Sequence, residues 1–260
     1  TGQVMKFWSY PSEAMGSYSY TDKNLGPIRH DYNYKIHWDA MPNINSERNP
    51  MLEKFFYGLA ISMNMNFGPE SGAVMTDVPS ALARHYGYPK DMYVQQRGNT
   101  RAAEWIVGVK GEIDKGRPVL YGGQGDGGGH AFVLDGYTDQ DFFHVNWGWG
   151  GMSDGWFLID ALNPDALGTG GGTGGGFSKY QHMMMNFQPP LTAPGDDTDP
   201  VPGDEEEEVE EIVYSPAYGL SQLYAFLSFT RFNGRETSSG PESYTSFPDR
   251  LIPADRSKGI

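Results

Sequence analysis

The feature that most constrains the fold is a change of hydrophobic period at Pro118. Before Pro118, apolar residues recur at helical spacing; after it, short apolar runs are separated by Gly, Asp and Asn turns. Consecutive strands joined by such short connections must be antiparallel. Helices followed by a separate antiparallel sheet predict an α+β fold.

The segments behind this prediction can be placed by number. The helical pattern covers 1–10, 50–65, 76–87 and 100–116. Thr76 and Thr100 are the predicted N-caps of the last two helices. The strand pattern covers 118–123, 130–137, 142–147, 156–162 and 180–187. Residues 16–40, with Tyr and Trp between turn residues, predict short strands or loops.

Composition divides the chain into three parts. Residues 1–188 can form one packed domain, 189–211 is an acidic Pro/Gly/Glu linker, and 212–260 has no assignable role. Within the linker, 196–211 holds ten acidic and no basic residues. Of the formal net charge of −14, only −4 then belongs to the rest of the chain. Nucleic-acid binding therefore has no electrostatic support.

Several classes of site are not expected. The longest apolar runs are too short to span a membrane. The chain contains no cysteine, which excludes disulfides and thiolate metal sites but says nothing about compartment. The acidic run lacks the spacing of an EF-hand calcium loop. The glycine-rich run from Gly168 to Gly176 lacks the Lys-Ser/Thr of a phosphate-binding loop. We expect no cofactor and no metal.

Among six histidines, His130 has the most distinctive context. It follows three glycines in "GGGHAFVLDG" and begins an apolar strand. A titratable side chain at the rim of a rigid sheet, beside an open loop, is typical of a catalytic base. A histidine bonded to its own loop fits these residues equally well. The other five histidines are expected to be structural or surface residues.

Asn146 and Trp147, at the end of the next strand, favour the catalytic interpretation. An amide can fix the tautomer of an imidazole, and an indole over that bond would exclude water. With a four-residue loop, however, Asn146 pairs with Val133, on the other face from His130. A loop of three or five residues, or a bulge, would bring the two side chains together. The spacing permits the pair without requiring it.

The block "GGGHAFVLDGYTDQDFFHVNWGWGGMSDGWFLIDALNPDALGTGGGTGGGFSKYQ" resembles the C-terminal half of streptopain-like cysteine peptidases, which have a papain-like fold. The segments "TGQVMKFWSYP", "MNMNFGPESGA" and "IDKGRPVLYGGQG" are similar to that family as well. The resemblance covers roughly residues 1–188.

The resemblance implies a role for each matching residue. His130 would be the catalytic base, Asn146 its orienting amide, and Trp147 the indole that screens the pair. Ser71, Gly128 and Gly129 would line the substrate cleft, and Gly168–Gly176 would form a mobile loop at its border. The implied partners are polypeptide substrates, preferred with a hydrophobic residue two positions before the cut, and an inhibitory N-terminal pro-segment. The implied location is secreted or on the cell surface.

The family's nucleophilic cysteine falls a few residues before Thr1, so this chain is expected to be an inactive fragment of a peptidase. Two rivals remain open. One is a secreted pseudoenzyme that binds peptides without cutting them. The other is a glycan-binding module that uses Trp147, Trp149 and Trp156 as stacking platforms.

Overall fold

The computed structural model describes residues 1–42, 48–68, 71–168, 171 and 174–191. From residue 192 onward, the predicted linker and the segment 212–260 lie outside the described residues. The helices of the described ranges are α1 (Gly2–Trp8), α2 (Pro50–Ser62), α3 (Val78–His85) and α4 (Ala102–Ile113). The strands are β1 (Glu13–Ala14), β2 (Ser17–Asp22), β3 (Gly26–Asp31), β4 (Tyr34–Lys35), β5 (Tyr93–Gln96), β6 (Val119–Gly125), β7 (Gly128–Tyr137), β8 (Phe142–Asn146), β9 (Gly155–Leu158) and β10 (Lys179–Met185).

The order of elements confirms the predicted α+β class. All four helices precede Pro118, and five antiparallel strands follow it. None of these helices, within the described ranges, is long and apolar enough to cross a membrane.

Helix α2 shows how local sequence sets an element. The side chain of Asn49 accepts a hydrogen bond from the backbone N–H of Leu52, and Pro50 occupies the first turn, where an N–H needs no helical partner. Leu52, Phe55 and Leu59 are buried, as the helical spacing predicts.

Two predicted N-caps are wrong by one residue. Thr76 lies inside a 3-10 turn (Met75–Asp77), and α3 begins after Asp77. Helix α4 begins after Arg101 rather than after Thr100. Neither start has a side-chain cap, so a nearby threonine marks the boundary only approximately.

The main sheet has six antiparallel strands in the order β5-β10-β6-β7-β8-β9. Strands β6 to β10 are the five that the sequence predicts. Strand β5 is not among the predictions, because "YVQQ" is too short and polar to stand out; it forms an edge by pairing with β10.

Both faces of the central strands of this sheet are buried. Leu120 and Val133 point into a core shared with α1, α2 and α3, whereas Phe132 and Leu134 point into a second core closed by α4. Alternating residues of one strand therefore belong to different cores. This double burial explains why the strands after Pro118 are almost continuously apolar.

The register between β7 and β8 contains two irregularities that cancel. At the turn, Tyr137 pairs with Phe143 rather than with Phe142, which lengthens the loop by one residue. A bulge between Leu134 and Gly136 then takes up the extra residue, so that Val133 pairs with Asn146 after all. Each irregularity alone would have turned Asn146 toward the face of His130; together they leave it on the other face.

The two ends of the described chain meet in the fold. The indole Nε1 of Trp8, at the end of α1, donates a hydrogen bond to the backbone oxygen of Phe187, just beyond β10, at 3.0 Å. This contact fastens α1 against the sheet.

Candidate active site

The imidazole of His130 is held by one backbone carbonyl. Its Nε2 lies 2.8 Å from the carbonyl oxygen of Trp147. Because a carbonyl can only accept, Nε2 must carry the hydrogen, and the neutral ring keeps a lone pair on Nδ1. This tautomer makes Nδ1 the proton acceptor.

The indole that covers His130 belongs to Trp149. The two rings are stacked, with centroids 4.8 Å apart and planes 22° apart. Trp147 lies behind, stacked on Trp149 at 5.6 Å, and both indoles are buried. The structure thus divides the role predicted for Trp147: its backbone oxygen orients the imidazole, and Trp149 excludes water from the ring.

These surroundings set the ionisation of His130. Burial lowers the pKa of its imidazole, and the hydrogen bond to the Trp147 carbonyl opposes that shift by favouring the protonated ring. The shift keeps the imidazole neutral at neutral pH, the form that can accept a proton.

Asn146 serves the site from the other face of the sheet. Its buried Oδ1 accepts hydrogen bonds from Nε2 of Gln3, at 3.1 Å, and from the backbone N–H of Gly148, at 2.9 Å. The predicted partner of His130 is therefore placed to hold the start of α1 and the peptide bond that follows Trp147.

Glycines let a loop backbone lie directly on the Trp149 indole. A Cβ at Gly168 would overlap the indole, and a Cβ at Gly171 would lie 2.8 Å from its Cζ2. Of the predicted mobile loop Gly168–Gly176, residues 169, 170, 172 and 173 lie outside the described residues. Gly168 and Gly171 therefore have a packing role beside the indole that covers His130.

A cleft of about 630 Å³ runs between the helices and the sheet and reaches His130. Ser71 and Gly129, two of the predicted substrate-binding residues, line it. Gly128 lies one residue beyond this lining, paired with Gly125. Most of the wall is apolar, and its larger side chains are Leu52, Phe56, Leu59, Met63, Met65, Val74, Met75, Val78, Val94 and Leu120.

Three further residues of the cleft come from the start of α1: Thr1, Gly2 and Gln3. They place the beginning of this helix on the same cavity as His130. The hydroxyl of Ser71, by contrast, is bonded within its own loop, to the backbone N–H and C=O of Gly68.

Two residues of the cleft, His182 and Gln3, are not among the predicted site residues. His182 lines the cleft, with Nδ1 3.0 Å from the Tyr180 carbonyl, although a structural or surface role was expected. Its ring lies against Gly122, where a Cβ would overlap Nε2. Nothing in the sequence marks Gln3 as a site residue, because its hydrogen-bond partner Asn146 is 143 positions away. Within the described residues, no group of three His, Asp or Glu side chains could hold a metal ion.

Comparison with known proteins gives this geometry a context. A family model described as the Peptidase C10 family matches residues 1–157. Streptopain from Streptococcus pyogenes serotype M1 is 37% identical over 203 residues, which cover 73% of this chain and 51% of streptopain. The thiol protease/hemagglutinin PrtT of Porphyromonas gingivalis is 36% identical over 209 residues, 76% of this chain and 24% of that protein. The chain thus spans about half the length of streptopain.

Solved structures of similar proteins have the same fold as this chain. The active wild-type interpain A cysteine protease of Prevotella intermedia aligns with a TM-score of 0.63 at 30% identity, covering 71% of this chain and 79% of that one. A fragment of prointerpain A from the same organism aligns with a TM-score of 0.57 at 31% identity, over 70% of this chain and 59% of that one. The papain-like architecture expected from the sequence is confirmed.

Proposed function

This chain belongs to the peptidase C10 family, and we propose that residues 1–188 form the base-bearing part of a secreted or cell-surface cysteine endopeptidase. The observation that carries the proposal is the hydrogen bond that the Trp147 carbonyl accepts from His130. Its Nε2 hydrogen is committed to the Trp147 carbonyl, which leaves Nδ1 to accept a proton beside the cleft. The 260 residues contain no cysteine, so the thiol is expected on residues preceding Thr1.

The proposed reaction is acyl transfer through a thiol. Nδ1 of His130 takes the thiol proton, and the thiolate attacks the carbonyl carbon of a substrate peptide bond. As the C–N bond breaks, the imidazolium returns its proton to the leaving amine. Water, deprotonated by the same ring, then attacks the thioester, which releases the carboxylic acid and the thiol. Proton transfer by a positioned base contributes about 10²–10⁴-fold to such a reaction.

The substrate would be an extended polypeptide, because the cleft is open to solvent and lined mostly by apolar side chains. Burial of a bulky apolar residue of the substrate would supply binding energy of roughly 1.5–3 kcal/mol. The family resemblance places that residue two positions before the cut. An N-terminal pro-segment that covers the cleft before activation belongs to the same proposal.

Casein hydrolysis tests this function directly. The 260-residue chain is expected to be inert, whereas the protein that includes the residues encoded before Thr1 should cleave casein and be blocked by iodoacetamide. His130→Ala in that longer protein should abolish cleavage, and His37→Gln, at an exposed histidine, should preserve it. Activity that survives His130→Ala would refute the proposal.

A second candidate, peptide binding without cleavage, is favoured by one observation: a cleft of about 630 Å³ is present in a chain that has no thiol. The residue encoded five positions before Thr1 separates the candidates, since cysteine there supports the enzyme and any other residue supports the binder. Glycan stacking on three tryptophans finds little support, because Trp147 and Trp149 are buried and only Trp156 of the three is exposed.

A further inference from the structure

The turn after β8 folds back onto its own first residue. Oδ1 of Asp154 accepts a hydrogen bond from the backbone N–H of Trp147 at 2.9 Å. The indole Nε1 of Trp147 donates to the backbone oxygen of Ser153 at 2.9 Å. Residues 153 and 154 thus hold both the main chain and the side chain of Trp147.

Trp147 is also the residue whose carbonyl orients His130. That carbonyl shares a peptide plane with the N–H of Gly148, which is bound by Oδ1 of Asn146. Asn146 therefore fixes the peptide plane that follows Trp147 in the chain. Asp154 fixes the N–H of the peptide plane that precedes it. The direction of the carbonyl depends on both restraints.

The carboxyl group of Asp154 lies in a charged, partly buried environment. Burial raises its pKa to about 6, while the Trp147 N–H and His144 act to lower it and Asp135 acts to raise it. His144 on β8 and Asp135 on β7 face Asp154 and are bonded to each other at 2.6 Å. Above pH 6 the ionised carboxylate makes a stronger, charge-assisted bond to Trp147 than the neutral acid does.

We propose that Asp154 is a positioning residue for the imidazole of His130, acting through the main chain of Trp147. The inference rests on the proposed function for its catalytic meaning, although the positioning itself can be measured without activity. The network from Asp154 to Trp147 to His130 consists of contacts of 2.9 and 2.8 Å. No step of it requires the thiol.

The first test is NMR on the 260-residue chain, following exchange of the His130 Nε2 proton with water. In Asp154→Ala the acceptor is lost, and exchange should become about tenfold faster, the factor expected for one hydrogen bond of ordinary strength. Asp154→Asn keeps an acceptor oxygen and should stay within about threefold of wild type. Asp139→Ala, at an exposed carboxylate in the distant β7–β8 turn, is the matched control and should leave exchange unchanged.

Asp154→Asn keeps the proposal testable if Asp154→Ala fails to fold. Above pH 6, exchange in wild type should be slower than in Asp154→Asn, and the two rates should converge as the pH falls below 6. The reason is that only the wild-type carboxyl loses its charge there. A ratio that stays constant from pH 5 to pH 8, or unchanged exchange in a folded Asp154→Ala, would overturn the proposal.

The second test uses casein hydrolysis by the longer, thiol-bearing protein. Asp154→Ala should lower kcat about tenfold or more with KM little changed, and Asp154→Asn should restore most of it. If the longer protein is inert while the exchange results hold, the proposed function fails and the positioning role stands. If activity is present but exchange does not respond to Asp154→Ala, the positioning role fails alone.

Discussion

Gln3 and Asn146 are joined by a hydrogen bond of 3.1 Å that links the start of α1 to the end of β8. The bond ties the start of α1, which lines the cleft, to the strand end that precedes Trp147. Because Asn146 also holds the N–H of Gly148, one amide sets the spacing between the helix and the carbonyl that orients His130.

Gln3→Ala should lower the free energy of unfolding by about 1 kcal/mol, the usual contribution of one hydrogen bond. Asn146→Ala should cost more, about 1–3 kcal/mol, because it removes this bond and also the acceptor of the partly buried N–H of Gly148. Urea denaturation of both variants and of the double variant gives their coupling. Gln140→Ala, at an exposed glutamine, is the control. Strict additivity of the two losses would contradict the contact.

Replacing Trp149 should change the titration of His130. Burial lowers the pKa of this imidazole, so the smaller ring of Trp149→Phe should admit water and move the pKa of His130 upward. NMR titration of the ring measures the change. Trp156→Phe, which alters an exposed indole next to His144, should leave His130 as it is. An unchanged His130 in Trp149→Phe would show that the stacked indole does not desolvate it.

Stability should fall in acid because of His30. Burial lowers the pKa of His30 to about 4, so below its ordinary value the unfolded chain binds a proton that the folded chain does not. The resulting loss begins near pH 6.5 and reaches about 2–3 kcal/mol at pH 4. His30→Gln should remove this part of the pH dependence, and His37→Gln should not. Parallel stability profiles of wild type and His30→Gln would be the contrary result.

Two glycines should respond in opposite directions to alanine. A Cβ at Gly123 would overlap the backbone oxygen of Phe177, so Gly123→Ala should cost about 1–3 kcal/mol or more. A Cβ at Gly111, inside α4, would meet no atom within 4 Å, so Gly111→Ala should stabilise by about 0.5–1 kcal/mol. Thermal and urea unfolding measure the change in the free energy of unfolding for each variant. Changes of the same sign and size in the two variants would be inconsistent with the packing described.

The sequence predicted what depends on neighbours along the chain. The period change at Pro118 and the buried face of α2 both follow from local spacing. The hydrogen-bond acceptor for His130 could not be predicted, because it is a backbone carbonyl. Every residue has such a carbonyl, so no residue type in the sequence marks it. The role of Asp154 depends on a turn that returns seven residues later to Trp147, and composition does not encode that return.

The bulge in β7 also shows a limit of prediction from the sequence. Loop length alone suggested one register, and the real loop is one residue longer, but the bulge restores the pairing near Asn146. Two errors in opposite directions therefore gave the right partner. A strand register inferred from loop length is reliable when no residue of the strand favours a bulge. Gly136 in "VLDGY" is a residue that favours one.

The bond between Trp8 and Phe187 has a consequence for the order of events during synthesis. The carbonyl that accepts from Trp8 is synthesised 179 residues after Trp8 itself. At roughly 5–20 residues per second, the Trp8 indole waits about 10–35 s for the Phe187 carbonyl. The bond that fastens α1 to the sheet therefore forms only after the other described helices, which end at Ile113, have been synthesised.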